Sequence, residues 1–469
     1  MKYVSTRTSD REYDFRQVLL GAYAPDGGLF VPSELPKFTE EQLAKLEWLS
    51  LEELAYHILE PFLRGFISAD ALKQVLRETY KNFKSRATAP LYQTASNEWI
   101  LELFHGPSGA YQDFGLQLMA GLIEYAQTKD GGEIVIIGCT GGDTGTAAVN
   151  AFKDLHNAKV VVLSPEKWLT EDHRKRLQAT ESGDIQNISV DGDYSDCHSL
   201  CEKVLKGWDS TKAALVSFNS VNWVRVLGHL PYLFYSALQL GAPGRGVAFS
   251  VPTGNFSALY AGYIAKQMGL PIQQMIVATN INNGLHAFLQ SNLYGRTSIH
   301  ISKTPCMSVS LASNFERFQW SVVNGSGDQV STIMSILEQG GRIQLERESW
   351  LEARAFFDSL SVEDRETFQV IHEVYTDNGY LVSPNTAIGI KAARTKRRSL
   401  LIPMICLATT HPANYSSTLA EANVPIAGLS GCQDSSGANG FVFMPNDPSA
   451  LAGLVSSLIG NSSAQLFNA

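Results

Sequence analysis

Six short apolar, largely β-branched runs, each followed by a stretch of helical periodicity, constrain this chain more than any other feature. They are Glu133–Gly138, Lys159–Ser164, Ala214–Asn219, Val247–Val251, Met275–Asn280 and Pro403–Thr409. The runs are nearly continuous rather than alternating, which is what parallel strands covered on both faces require. Helical stretches of roughly 10 to 20 residues lie between them, so the expectation is an α/β, doubly wound protein. Two clusters of runs, one before about residue 215 and one after, predict two parallel-sheet lobes with a cleft between them.

Residues 1–95 read differently. Charged segments at 40–49, 51–66 and 69–83 carry apolar residues at three- and four-residue spacing, the signature of amphipathic helices. A turn at Asp26-Gly27-Gly28-Leu29-Phe30-Val31-Pro32 punctuates them. The expected organisation is a mostly helical region 1–95, a lobe at 96–215, a second lobe at 216–430 and a loop-rich tail at 431–469.

Composition narrows the partners. A net charge of -9 with 18% charged residues leaves no basic stripe for neutralising phosphates, which argues against nucleic acid. No apolar stretch is long enough for a membrane span, and the opening Met1-Lys2-Tyr3-Val4-Ser5-Thr6-Arg7 has no signal-peptide core, so a soluble cytoplasmic protein is expected. The cysteines at 139, 197, 201, 306, 406 and 432 form no C-x-x-C pair. Cys197, His198 and Cys201 read as small helix residues rather than metal ligands, and no metal is expected.

The sharpest local feature is Gly138-Cys139-Thr140-Gly141-Gly142-Asp143-Thr144-Gly145-Thr146, which follows a strand and opens a helix. Unpaired backbone N–H groups at the positive end of a helix suit an anion, and glycines permit close approach. The spacing is neither a dinucleotide fingerprint nor a Walker loop. Thr140, Gly141, Gly142, Asp143, Thr144 and Gly145 are therefore candidate anion ligands, against the alternative of a tight turn with no ligand. Val251-Pro252-Thr253-Gly254-Asn255-Phe256-Ser257 is a weaker strand-to-helix turn. Phe104-His105-Gly106-Pro107-Ser108-Gly109-Ala110-Tyr111-Gln112-Asp113-Phe114 leads into a third helix.

Taken together, these stretches resemble threonine synthase of the pyridoxal-phosphate (PLP) fold-type II group, the tryptophan synthase β-like fold. The likeness also includes Asn219-Ser220-Val221-Asn222-Trp223, Ser313-Asn314-Phe315-Glu316-Arg317, Thr386-Ala387-Ile388-Gly389 and Thr409-Thr410-His411-Pro412. It covers nearly the whole chain. It implies that residues 140–145 hold an amino-acid carboxylate, with Asn222 among the substrate-binding residues. Gly254, Asn255, Phe256 and Ser257 match the loop that cradles the PLP phosphate, and Thr409 matches the hydroxyl residue near the pyridine nitrogen. The family reaction converts O-phosphohomoserine to threonine.

One departure dominates. The family's Phe-Lys-Asp-Phe, whose lysine forms an imine with PLP, here reads Tyr111-Gln112-Asp113-Phe114. An amide nitrogen is delocalised, not basic, and cannot add to an aldehyde or shuttle protons. Further differences lie at Gly141 (serine in the family), Ser257 and Ala258 (glycine at the first), Ser308 (aspartate), Ser383 and Asn385 (aspartate and histidine) and Asn414 (lysine). The resulting expectation is a PLP-independent lyase or transferase acting on a small amino-acid-like or phosphorylated ligand, with no covalent cofactor and PLP binding disfavoured. Gln112, Asp113, Tyr111 and His105 are its candidate catalytic residues, although a His-Gly-Pro turn is more often structural. Two alternatives stand beside it: an inactive metabolite-binding or partner protein, and a threonine synthase inactivated by a lysine-to-glutamine change. Oligomeric state is left open.

Overall fold

The computed structural model describes residues 1–130, 132–178, 184–209, 213–425 and 441–465. Cys432 and most of the Gly/Ser/Asn-rich stretch before residue 441 lie outside the described residues.

Two parallel sheets form the frame. The first orders its strands Val442–Met444, Ile185–Val190, Ala158–Pro165, Ile134–Cys139 and Ala214–Ser217, all parallel. The second runs Phe357–Ser361, Ile272–Thr279, Val247–Pro252, Met404–Ala408, Glu98–Glu102 and Leu91–Ala95, with only the last pair antiparallel. The central strands are buried along their length, as their unbroken apolar runs require. All six expected runs are strands of this frame.

The N-terminal region contains the helices Leu51–Leu63 and Ala69–Tyr80. Ser50 and Glu53 form a capping box on the first, and Leu51, Leu54, Ala55, Ile58, Leu59, Phe62 and Leu63 form its buried stripe. Tyr3–Ser5 and Phe30–Pro32 make a small antiparallel pair, and Tyr3 packs against Phe15 and Trp223.

The lobes interleave along the chain, unlike the sequential division expected. Leu91–Ala95 and Glu98–Glu102 straddle the expected boundary at residue 96 and join the second sheet through Met404–Ala408. The C-terminal segment returns to the first lobe, where Val442–Met444 pairs with Ile185–Val190. It continues as the helix Pro448–Gln465, with Leu451 and Val455 buried beside Cys197, Leu200 and Val204. Such pairings join residues hundreds of positions apart and leave no local pattern. Among the described residues, no helix is long and apolar enough to cross a membrane.

Candidate functional site

Three strand- or loop-to-helix junctions meet between the lobes. The first is the glycine-rich turn between Ile134–Cys139 and the helix Asp143–Phe152. Thr140 Oγ accepts from the Gly142 and Gly145 N–H groups (2.9 and 2.8 Å) and donates to the Gly142 carbonyl (2.9 Å). The Thr140 hydroxyl is thus spent on shaping the loop, which corrects its expected role as a free anion donor. Gly142 has φ +148°, and a Cβ there would lie 2.7 Å from the His173 ring, so only glycine fits. Gly141 has room for a side chain, and Gly145 packs against Thr140. Thr144 lines the open cleft, together with Arg7, Ser220, Arg225, Asn255 and Glu316.

Asp143 points the other way, into a fully buried network. Its carboxylate accepts from Arg176 Nη1 at 3.0 Å, Thr410 Oγ1 at 2.9 Å and Asn414 Nδ2 at 3.2 Å, and lies 3.4 Å from His173 Nε2. Burial alone would raise its pKa, but His173 and Arg176 outweigh this and hold it well below the usual carboxylate range. Burial would likewise lower His173, yet the charges of Cys306 and Asp143 bring it up to about 10. Asp143 is therefore already satisfied by protein groups, and its expected role as a direct ligand for an external anion is corrected: an anion would meet a carboxylate.

The second junction follows Val247–Pro252. A Cβ on Gly254 would come within 2.7 Å of the Met307 carbonyl, and Phe256 adopts the left-handed conformation (φ +66°) at the head of the helix Ser257–Gln267. Asn255 Oδ1 accepts from both the N–H (3.0 Å) and the hydroxyl (2.9 Å) of Ser257. His229 Nε2 lies 3.0 Å from Ser257 Oγ, and Tyr232 Oη lies 2.7 Å from His229 Nδ1. Because the Ser257 hydroxyl proton goes to Asn255, the His229 Nε2–H must donate to Ser257, and Tyr232 must donate to Nδ1. This proton order requires a neutral imidazole, and burial, with Arg225 nearby, pulls His229 down to about 3. The ring of Tyr111 stacks on His229 at 5.5 Å.

The third junction opens the helix Gln112–Asp130. Tyr111 N–H donates to the Thr409 carbonyl at 2.8 Å, and Ala110 bridges to Thr410, so the loop is tied to the end of Met404–Ala408. Gln112 is 6% exposed and its Oε1 has no hydrogen-bond partner, a cost that an intended partner would remove. Asp113 is wholly buried. One oxygen accepts from Ser108 N–H at 2.9 Å, and the other has no partner. Burial pushes its pKa up to about 7 against the opposing bonds from Ser108. Arg225, buried with Nε unpartnered, borders the cleft; burial lowers it to about 10.

Tyr111, Gln112, Asp113, Thr409 and the Gly254–Ser257 loop are thus drawn to one buried region, with Thr144 across the cleft. Besides Asp143, two expected residues are placed elsewhere. His105 Nε2 is bonded to Glu102 at 2.6 Å, and Glu102 in turn holds Tyr380, so this histidine braces the end of a strand rather than facing Gln112. Asn222 caps the helix Trp223–Leu227: its Oδ1 accepts from Val224 N–H and its Nδ2 donates to the Leu19 carbonyl, and the residue is wholly buried in this structural role. The sequence reading missed Arg225, His229, His173, Arg176 and Cys306. Arg225 was within reach, three residues after Asn222. The others have no local signal.

The polar substitutions also find partners. Ser308 accepts from Asn280 and Asn282, Ser383 caps the helix Pro384–Lys396, and Asn414 reaches the Ser108 and Gly109 carbonyls as well as Asp143.

Residues 2–80 match the family model described as threonine synthase N terminus, and residues 86–403 match that of pyridoxal-phosphate dependent enzymes. A threonine synthase of Pseudomonas aeruginosa is 42% identical over 425 residues, covering 90% of this chain and 91% of that one. The crystal structure of a PLP-bound threonine synthase from Brucella melitensis superposes with a TM-score of 0.88 at 35% identity, covering 98% and 99% of the two chains. The yeast threonine synthase structure also gives 0.88, at 29% identity and 98% and 99% coverage.

These findings count against the expectation of no covalent cofactor with PLP binding disfavoured. The matched family is defined by PLP dependence, and the similar Brucella structure holds the cofactor. With residues 2–80 and 86–403 matched to the two models and the fold shared over nearly the full length, the chain belongs to the threonine synthase family of PLP-dependent enzymes.

Proposed function

We propose that this protein is a PLP-binding threonine synthase in scaffold whose turnover of O-phosphohomoserine is disabled by the amide at position 112. The observation that carries the reading is Gln112 itself: it heads a buried helix, its Oε1 has no partner, and it stands where the resembling motif has lysine. The family match supports this reading over a PLP-independent lyase or transferase, because residues 86–403 match the model of pyridoxal-phosphate dependent enzymes.

The residues fit a phosphate-bearing cofactor. Gly254 permits a turn that any Cβ would block, and the first-turn N–H groups of Ala258 and Leu259 lie at the positive end of a helix. Thr253 and Thr409 would supply hydroxyls, and the buried Arg225 an unspent donor. PLP, when bound, supplies the electron sink for chemistry at an amino acid's carbons.

The chain's own residues do the rest. Tyr111, stacked on neutral His229, walls the site. Thr144, on the rim of the cleft, supplies a hydroxyl to an incoming carboxylate. Asp113, with a pKa of about 7, holds the preceding loop by accepting from Ser108. No group at 112 can take a proton from substrate and return it, because an amide is not basic. Losing a nucleophile and acid/base together lowers turnover by several orders of magnitude.

The test has two arms. PLP added to purified protein is expected to bind saturably, read by its absorbance after gel filtration, while phosphate release from O-phosphohomoserine stays at background. Phosphate release at the rate of a threonine synthase measured alongside would overturn the reading, and so would failure to retain PLP.

A further inference from the structure

His173, Asp143 and Cys306 converge from three separate segments: the helix Glu171–Gln178, the glycine-rich turn and the short helix Pro305–Met307. One donor atom from each lies within 4.8 Å of the other two. His173 Nε2 is 3.4 Å from Asp143 Oδ1, and Cys306 Sγ is 3.9 Å from Asp143 Oδ2 and 3.6 Å from the Gly141 carbonyl.

The arrangement resembles a nucleophilic triad in its residue types, but not in its geometry. A triad histidine uses opposite ring nitrogens, one toward the acid and one toward the nucleophile. Here Nε2 alone faces the group, and Nδ1 is taken by Thr170 Oγ1 at 2.7 Å. One inward nitrogen with its opposite nitrogen anchored is how a metal-binding histidine is held. His173 is completely buried, yet its Nε2 makes no well-aligned hydrogen bond. The neighbouring Gly142, which no other residue could replace without striking this ring, sets its position.

Magnitudes agree. Tetrahedral zinc with bonds of about 2.0–2.1 Å to nitrogen and oxygen and about 2.3 Å to sulfur separates N from O by about 3.4 Å and S from O by about 3.6 Å. The His173–Asp143 and Cys306–Asp143 separations, 3.4 and 3.9 Å, lie near these values but run to the two different carboxylate oxygens, so one ion would be held by both oxygens or would take one after a small turn of the carboxylate. Thr410, Asn414 and Arg176 already orient the Asp143 carboxylate. The guanidinium reduces affinity but does not cancel it: a divalent cation with a thiolate, a carboxylate and Arg176 leaves a net charge of about +1, suited to an anionic or water fourth ligand.

We propose that Asp143, His173 and Cys306 form a binding site for a thiophilic divalent cation of the zinc class. The proposal does not depend on PLP, and its test uses none.

The full chain, freed of metal and reduced, is titrated with Co2+ alone. The expected result is one equivalent bound at micromolar concentration, with the intense near-ultraviolet band of a thiolate–cobalt bond. Cys306→Ser should abolish that band, and Thr170→Val, which removes the anchor on Nδ1, should weaken binding about 10- to 100-fold. Should Cys306→Ser misfold, the parent decides the matter: Zn2+ should protect Cys306, identified by peptide mass, from alkylation. Absence of Co2+ uptake, a band that survives Cys306→Ser, or alkylation of Cys306 unaffected by Zn2+ would each overturn the proposal.

Discussion

Replacing Asp113 by asparagine should make the protein's relative stability depend on pH in one direction. Asp113 is fully buried with a pKa of about 7, whereas an aspartate in the unfolded chain ionises near 3.9. Between those values the folded state holds a proton that the unfolded state has released, so stability falls as pH rises and the full cost is present above about 7. Linkage gives about 1.5 kcal/mol at pH ~5 and about 4 kcal/mol at pH ~8, a change of about 2.5 kcal/mol. The Asp113→Asn variant would carry a constant cost for its buried amide, and the other titrating groups are common to both proteins. For 469 residues the entropy of unfolding is about 1 kcal/mol per degree. The Tm of Asp113→Asn relative to the parent should therefore rise by about 2–3 °C between pH ~5 and pH ~8. A Tm difference that stays constant, or moves the other way, would refute the assignment of a protonated carboxyl at the head of this helix.

Three other substitutions probe the surrounding structure. Ser257→Gly removes the hydroxyl that ties His229 to Asn255 and should tighten PLP binding by about 1 kcal/mol, about fivefold, in a fluorescence titration; unchanged or weaker affinity contradicts the proposed phosphate cradle. Gly142→Ala combines a positive φ with a 2.7 Å approach to His173 and should lower Tm by about 1–3 °C, with equal stability arguing against the loop geometry. Arg317 is buried, bonded to the Phe30, Ser220 and Val221 carbonyls and to Asn314, so Arg317→Met should cost about 3–5 kcal/mol and speed limited proteolysis.

What the sequence showed and what it hid divide by distance along the chain. The strand Ile134–Cys139, the Thr140–Gly142 turn and the helix beginning at Asp143 are contiguous, so apolar run, glycines and periodicity could be read together. The strand Ile185–Val190 escaped because Gln186, Asn187 and Ser189 interrupt its apolar pattern. At the site, Gln112 could be read because chemistry alone bars an amide from adding to an aldehyde. Asp143 could not: its carboxylate turns inward to Thr410 and Asn414, 267 and 271 positions away. His105 and Asn222 fitted a ligand role by residue type, but Glu102 holds one ring nitrogen of His105, and the backbone at Leu19 and Val224 holds the buried Asn222 amide.

The reading of position 112 is tested most directly by Gln112→Lys, incubated with PLP, reduced with borohydride and digested for mass spectrometry. The account predicts a pyridoxyl mass increment on the peptide containing position 112 in the variant, and none on that peptide in the parent. An increment on the parent's own 112 peptide, or an unmodified peptide in a folded variant, would contradict it.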